Sequence, residues 1–367
     1  MIIYISMFIV LAFFYIIHHS NRQTRNLTDD NKPNKSIAFV VFAYIIFWAG
    51  MRNSFIDTFA YKQTFEWISW EHLSTLDFSF NSGWGFDFLT IIFKHLISKD
   101  SQHWLMFVAI VSGLCIGITF YKYSHNYFYS VFLFLATTNF TWLMNGIRQF
   151  LAVAIIFAAT PLIKENKWFK FLLIVLLAST FHGTALLMLP VFFFVRSKPW
   201  TSRTMLLFAG VLFVLFFTSS FTNILEEIFA ETQYENIGDK ILNDDGVNPI
   251  RVLVFSVTTI LAFFARNHLP KDDIIVNIFV NMSLVTSGLY LIAMATSGIL
   301  LGRLPIYTQL YQYMLLPYLI DKYFEKKTKN LVYFLSIVLF LFYFKISIDG
   351  FAATNRFYYS SDLTGAL

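Results

Sequence analysis

Arg148 and Gln149 stand in the run WLMNGIRQFLA, and His182 in LASTFHGTALLMLP, each wedged between long apolar stretches. A guanidinium or imidazole at membrane depth is expensive, so it usually faces a protein cavity and works there. The segment RNSFIDTFAY sets Asp57 five residues after Arg52 and Tyr61 four after Asp57, so on a helix Asp57 and Tyr61 share a face. Arg303 and Tyr307 open LLGRLPIYTQLYQYMLLP. A planar guanidinium binds phosphate oxygens two at a time, and a carboxylate or imidazole nearby can take a proton. Each residue also has a plainer reading. Arg52 can snorkel at a helix end, and Asp57 can cap the next helix. Arg148 and Gln149 can anchor a tight turn at Asn145-Gly146, and His182 can bond a neighbouring helix.

The elements that must position these groups are membrane spans. Apolar residues make up 57% of the 367 positions and charged residues 13%, with a mean hydropathy of +0.61. A soluble domain is about 25% charged, so the chain reads as an all-α, polytopic transmembrane bundle. Its 45 Phe and 19 Tyr suit a lipid-facing surface with aromatic belts. The single Cys115 excludes an intrachain disulfide, and the small net charge of +5 gives no sign of nucleic-acid binding.

Apolar runs fall near 2–18, 36–51, 103–120, 127–143, 146–163, 168–182, 183–195, 204–221, 251–265, 274–296, 303–320 and 331–348, about twelve membrane segments. The first lacks a basic leader and a small-residue cleavage site and reads as a retained span. Residues 85–98 read as a re-entrant or interfacial helix, too short for the roughly 17–25 residues a span needs. The runs 168–182 and 183–195 are short and meet at His182-Gly183. A break there at depth is tolerated only where it lines a cavity or is covered by protein.

With the amino terminus outside, the segments around 19–35, 121–126, 164–170, 196–203, 266–273 and 321–330 hold 17 of the 27 Lys and Arg against 7 acids. That bias places them on the cytoplasmic side. Arg52, Asp57, Tyr61, Arg148, Gln149, His182 and Arg303 then share the external boundary. The whole chain, 1–367, reads as one integral membrane domain with external loops at 52–102 and 222–250. FEWISWEHL, at 65–73, reads as an amphipathic helix on the outer interface or a lid.

No phosphate-binding GxxxxGK[ST], HExxH or paired CxxC occurs. Asp244-Asp245, in NDDGVNP, reads as a solvated turn before it reads as a cation site. No internal repeat is evident, against a transporter of inverted halves.

Taken in order, R-x4-D-x3-Y, IRQFLA, ASTFHGTALL and R-x3-Y leading to LLP resemble the EpsG family over about residues 50–320. These are membrane proteins of bacterial exopolysaccharide and capsule clusters, similar to Wzy-type repeat-unit polymerases. The resemblance implies glycosyl transfer on the external face of the bacterial plasma membrane. The donor would be a glycan on polyprenyl (undecaprenyl) diphosphate, and the acceptor a second lipid-linked unit. A GT-C-like glycosyltransferase architecture is compatible with this.

On this resemblance Arg52, Arg148 and Arg303 hold the diphosphate and Asp57 or His182 takes the acceptor proton. Gln149, Tyr61 and Tyr307 orient sugar hydroxyls. No metal or other cofactor is expected, because arginines supply the positive charge. A flippase and a chain-length regulator are the expected protein partners. One departure stands out: the family often has an acid just before a Gly-aromatic pair, whereas NSGWGFDFL has none before Gly85-Phe86, and Asp87 follows instead. The rivals are a glycosyltransferase using polyprenyl-phosphate sugars, an O-antigen-ligase-like transferase, and, outside enzymes, a lipid-linked oligosaccharide flippase.

Overall fold

The computed structural model describes residues 2–25, 32–79, 82–217, 246–298, 301–352 and 359–363. Among them there is no strand; every apolar run forms helix. Four helices are long and apolar enough to cross a membrane alone: Ile2–Ser20, Ser101–Tyr123, Ile274–Ala295 and Lys326–Gly350. Seven more apolar helices, 10–17 residues long, stand beside them, so the expectation of about twelve spans rests on short and broken segments. Most of the expected loop 222–250, with Asp244-Asp245, lies outside the described residues. The chain divides into two compact units.

The first unit comprises Met1–Ala158, Leu177–His182 and Glu325–Leu367. It contains α1 (Ile2–Arg25), α2 (Lys35–Gly50), α3 (Thr58–Trp67), α4 (Trp84–Leu96), α5 (Ser101–Tyr123), α6 (Tyr127–Ala136) and α7 (Ile147–Ala158). Helix α2 runs antiparallel to α5. At one end Gln102 Nε2 donates to the Gly50 carbonyl (2.5 Å), and at the other Lys32 Nζ donates to the Lys122 carbonyl (3.1 Å). Gly113 allows this approach, since a Cβ there would lie 2.3 Å from Ile46 Cγ1. Small residues serve in this way wherever lipid supplies no hydrophobic drive between helices.

Two predicted runs are interrupted. The run 127–143 breaks after Ala136: Thr137 and Thr138 turn their hydroxyls onto nearby carbonyls, Thr138 adopts φ +59°, and a 3-10 turn follows at Asn139–Leu143. The run 146–163 breaks at Ala159, before Pro161 starts the short α8 (Thr160–Lys164). FEWISWEHL is not one helix either. Helix α3 ends at Trp67, and Ser69 starts a separate 3-10 turn, Trp70–Thr75, through a reciprocal cap with His72.

The second unit comprises Ala159–Leu176 and Gly183–Phe324. It holds α8, most of α9 (Trp168–Phe181), a 3-10 turn at Gly183–Leu187, α10 (Met188–Val195), α11 (Ser202–Phe216), α12 (Pro249–Phe264), α13 (Ile274–Ala295) and α14 (Ile306–Tyr323). Helix α13 is its axis. Thr259 meets Ser287 (2.7 Å), Thr286 meets Thr308 (2.7 Å), and Tyr290 donates to Gln309 (2.7 Å). Such bonds contribute about 0.6 kcal/mol each and fix register more than stability. Helix α14, read from sequence as a span, is buried along nearly its whole length, which explains why it tolerates Gln309 and Gln312.

Candidate functional site

The amino terminus of α7 is the centre of the first unit's polar cluster. Its opening N–H groups have no partner within the helix. Two backbone groups here are met from another element: Gly146 N–H, just before the helix, donates to Asp57 Oδ2 (3.3 Å), and the Arg148 backbone bonds the Tyr61 phenol. Gly146 sits at φ +58°, where a Cβ would approach the Trp142 ring to 2.9 Å. Asp57 occupies the N-cap position of α3, yet its side chain makes no cap bond there. The preceding Ile56 adopts φ +40°, strained for a β-branched residue, and such strain persists where the surroundings enforce it.

Arg148 Nη2 lies 2.7 Å from Asp87 Oδ1, Nη1 lies 3.4 Å from Oδ2, and the guanidinium carbon is 5.0 Å from the centre of the Phe86 ring. Both side chains keep about a quarter of their surface, 28% and 26%, so the pair lies at the cluster's open edge. Asp87 is the acid that sequence reasoning passed over. Burial raises its pKa above the ordinary carboxylate value, and Arg148 only partly offsets that. Glycines seat its helix. Gly83 has φ +72°, and a Cβ on Gly85 would lie 2.1 Å from Thr180 Oγ1, so α4 packs directly on the end of α9. Beneath lies an aromatic core including Phe65, Phe86 and Trp104, with Tyr61 and Phe181 packed against it. His182 follows Phe181 directly, its N–H bonded to the Ala178 carbonyl (3.1 Å). Gln149 is buried on α7.

Arg52 does not snorkel: it is fully buried. Nε donates to Thr58 Oγ1 (3.0 Å) and Nη1 to the Ala49 carbonyl (2.6 Å), while Nη2 is buried without a hydrogen-bond partner. Burial lowers its pKa to about 10, and Tyr61, Tyr359 and Asp57 pull the other way. Tyr61 is raised, by burial first and the Asp57 carboxylate second, so it is a proton donor at neutral pH. The carboxy-terminal segment closes over this loop. Asn53 N–H donates to the Ser360 carbonyl (2.7 Å), Ser360 N–H to the Ser54 carbonyl (3.1 Å), and Tyr359 OH to the Trp48 carbonyl (2.8 Å). No sequence signal pointed to Tyr359.

Arg303 and Tyr307 belong to the second unit. Arg303 ends the turn Leu301–Arg303, and the buried Tyr307 has its hydroxyl 3.1 Å from Thr184 Oγ1. Among the described residues no three His, Cys, Asp or Glu side chains gather as a metal site would need.

A family model described as the EpsG family matches residues 35–361. The chain belongs to the EpsG family. The match runs from the start of α2 to Ser361, so it takes in the Arg52 loop, both ends of the Arg148–Asp87 pair and the closing carboxy-terminal segment. Membership makes this a membrane protein of polysaccharide biosynthesis. No curated protein and no solved structure matches the chain.

Proposed function

We propose that this EpsG-family protein is a repeat-unit polymerase working at the external face of the bacterial plasma membrane through about twelve membrane segments. The supporting observation is the Arg148–Asp87–Phe86 arrangement: a half-open guanidinium held in plane by a carboxylate and a ring, beside a second carboxylate, Asp57, on the same helix start. The acceptor's terminal sugar hydroxyl attacks the anomeric carbon of the donor. The bond from that carbon to the diphosphate oxygen breaks, polyprenyl diphosphate leaves, and Asp57 or His182 takes the hydroxyl proton. Arg148 stabilises the charge growing on the departing diphosphate, an effect of about 2.7–4 kcal/mol for one well-placed donor.

Gln149 binds a sugar hydroxyl; for Arg303 and Tyr307, which belong to the second unit, the family resemblance is the support for a part in substrate binding. Tyr61, held protonated, donates to a sugar oxygen. Arg52, fully buried, acts as a positioning residue that holds Thr58 at the start of α3 and faces Asp57 and Tyr61.

The test is a gel of lipid-linked and surface glycan from a deletion strain restored with wild type or Arg148→Ala. The variant is expected to lose the polymer ladder, a drop of roughly a hundredfold or more, while single lipid-linked units persist outside the membrane. Ladders of normal length in the variant would overturn the assignment. Units trapped on the inner face in the deletion strain would indicate a flippase.

A further inference from the structure

At the other end of the second unit, a cavity of about 300 Å³ opens where four helix ends meet. The end of α10 and the start of α11 contribute Lys198 and Trp200; the end of α12 and the start of α13 contribute Arg266 and Lys271. Its inner wall is apolar, with Leu269 and Val280. None of these residues belongs to the proposed catalytic groups.

Three features suit an occupant bearing a phosphate and an apolar tail. First, the lining is cationic and incompletely neutralised. Lys198 is paired with Asp272 (2.8 Å), Lys271 acts on the same carboxylate at longer range, and Asp273 is engaged in capping α13; among the described residues neither Arg266 nor Lys271 has a carboxylate within 4 Å. Arg266, a lining residue, is instead braced: its guanidinium stacks on Phe263 at 4.2 Å and Nη1 donates to the Phe263 carbonyl (2.9 Å). Second, the Trp200 indole N–H is buried without a hydrogen-bond partner. A buried donor left unmade is costly, and Trp N–H groups ordinarily find an acceptor. Third, Trp200 adopts φ +62°, in the left-handed region that a bulky residue rarely enters, and its backbone N–H is fixed by Thr204 Oγ1 (2.9 Å). Backbone strain of about 1–3 kcal/mol is retained where surroundings enforce it, and here it falls on a residue of the cavity lining.

We propose that this cavity binds the headgroup of an anionic phospholipid, with phosphate oxygens on Arg266, Lys271 and the Trp200 N–H and the acyl chains running along the apolar wall. The loops that form it, 196–203 and 266–273, together carry five Lys and Arg against two acids, a bias expected on the side where anionic lipids attract basic residues. The inference is independent of the polymerase reading.

The test uses the full chain in detergent micelles. Thermal stability is followed while phosphatidylglycerol, phosphatidylcholine or inorganic phosphate is added, and retained lipid is counted by native mass spectrometry. Phosphatidylglycerol alone is expected to raise the midpoint. Each basic residue near an anionic headgroup is worth about fivefold in affinity, so Arg266→Gln with Lys271→Gln together should weaken binding roughly 30-fold. Trp200→Phe keeps the packing, loses the N–H and should weaken it about fivefold. Lys327→Gln, in the other unit, should change nothing. Equal binding by the double variant, or an equal shift from phosphatidylcholine, overturns the site. An equal shift from phosphate alone overturns the lipid and leaves a free-anion site.

Discussion

At Arg148 the side chain and the backbone serve two partners at once. The guanidinium is tied to Asp87 across two nitrogens and laid on Phe86, while the backbone bonds the Tyr61 phenol. Lysine would keep the charge but lose the planar fork and the stacking, and hydrogen bonds to charged groups contribute about 1.5–3 kcal/mol each. Arg148→Lys is therefore expected to slow polymer synthesis ten- to a hundredfold, read as labelled sugar entering polymer. Asp87 gives this pair a pH signature. Its pKa is raised, so it takes up a proton at higher pH than an ordinary carboxylate, and below that point the ion pair is gone. For stability the sign runs the other way: the folded state holds the proton more tightly, so ionised Asp87 destabilises the fold as pH rises through its pKa. Wild-type activity should fall on acidification before free carboxylates titrate, and Asp87→Asn should be low and flat across that window; an unchanged acidic limb would release Asp87 from this role. Arg52, Asp57, Tyr61 and Arg148 were legible because polar groups among apolar runs are rare and expensive. Asp87 was not, because the acid was sought before Gly85-Phe86 and stands after it. Tyr359 was invisible, since its partner Trp48 lies 311 residues away and no local pattern encodes that contact.

The elements decide whether those residues meet. Helix α4 reaches the cluster only because Gly85 lets it lie against Thr180, with Cβ-equivalent distances of 2.1 Å to Oγ1 and 3.1 Å to the backbone carbonyl carbon. Gly85→Ala is expected to destabilise the chain by about 1–3 kcal/mol, the range for overpacking, and to move Asp87 off Arg148. A melting curve in detergent measures the first effect. Adding Thr180→Ala should recover only part of it, because the backbone contact persists. The carboxy-terminal segment is the second such device. Ser360→Pro removes the N–H that donates to the Ser54 carbonyl. With α15 (Lys326–Ala352) untouched, insertion should be normal. Losing one hydrogen bond, about 1 kcal/mol, should loosen the Arg52 loop and lower polymer yield about fivefold; unchanged yield would make the segment a bystander. Apolar periodicity made most helices legible, including the break at His182-Gly183, where α9 gives way to a 3-10 turn. It missed the breaks at Thr138 and Ser69, where single hydroxyl or imidazole bonds outcompete the helix locally.

On the scale of the whole molecule, the first unit has two distinguishable ends, and the proposed chemistry depends on which one faces outward. Gln102 on Gly50, the Arg52 loop, the Arg148–Asp87 pair and Ser360 on Ser54 define one end. Lys32 on Lys122, Tyr127 on Ala38 and Tyr129 with Ser336 define the other. The second set lies beside 32–35, 121–126 and 325–330, where Lys and Arg outnumber acids. On the positive-inside bias we propose that this end is cytoplasmic and the arginine cluster external. Cysteine labelling tests this directly, because Cys115 is the chain's one thiol and sits within α5. In a Cys115→Ser background, Ser74→Cys places an exposed thiol near the cluster end, and Lys327→Cys places one at the start of α15. A membrane-impermeant maleimide should label Ser74→Cys in intact cells and Lys327→Cys only after permeabilisation. The reverse pattern would turn Arg148 toward the cytoplasm. A donor and acceptor assembled outside could then not reach it, and a transferase using cytoplasmic-face lipid-linked sugars would replace the polymerase.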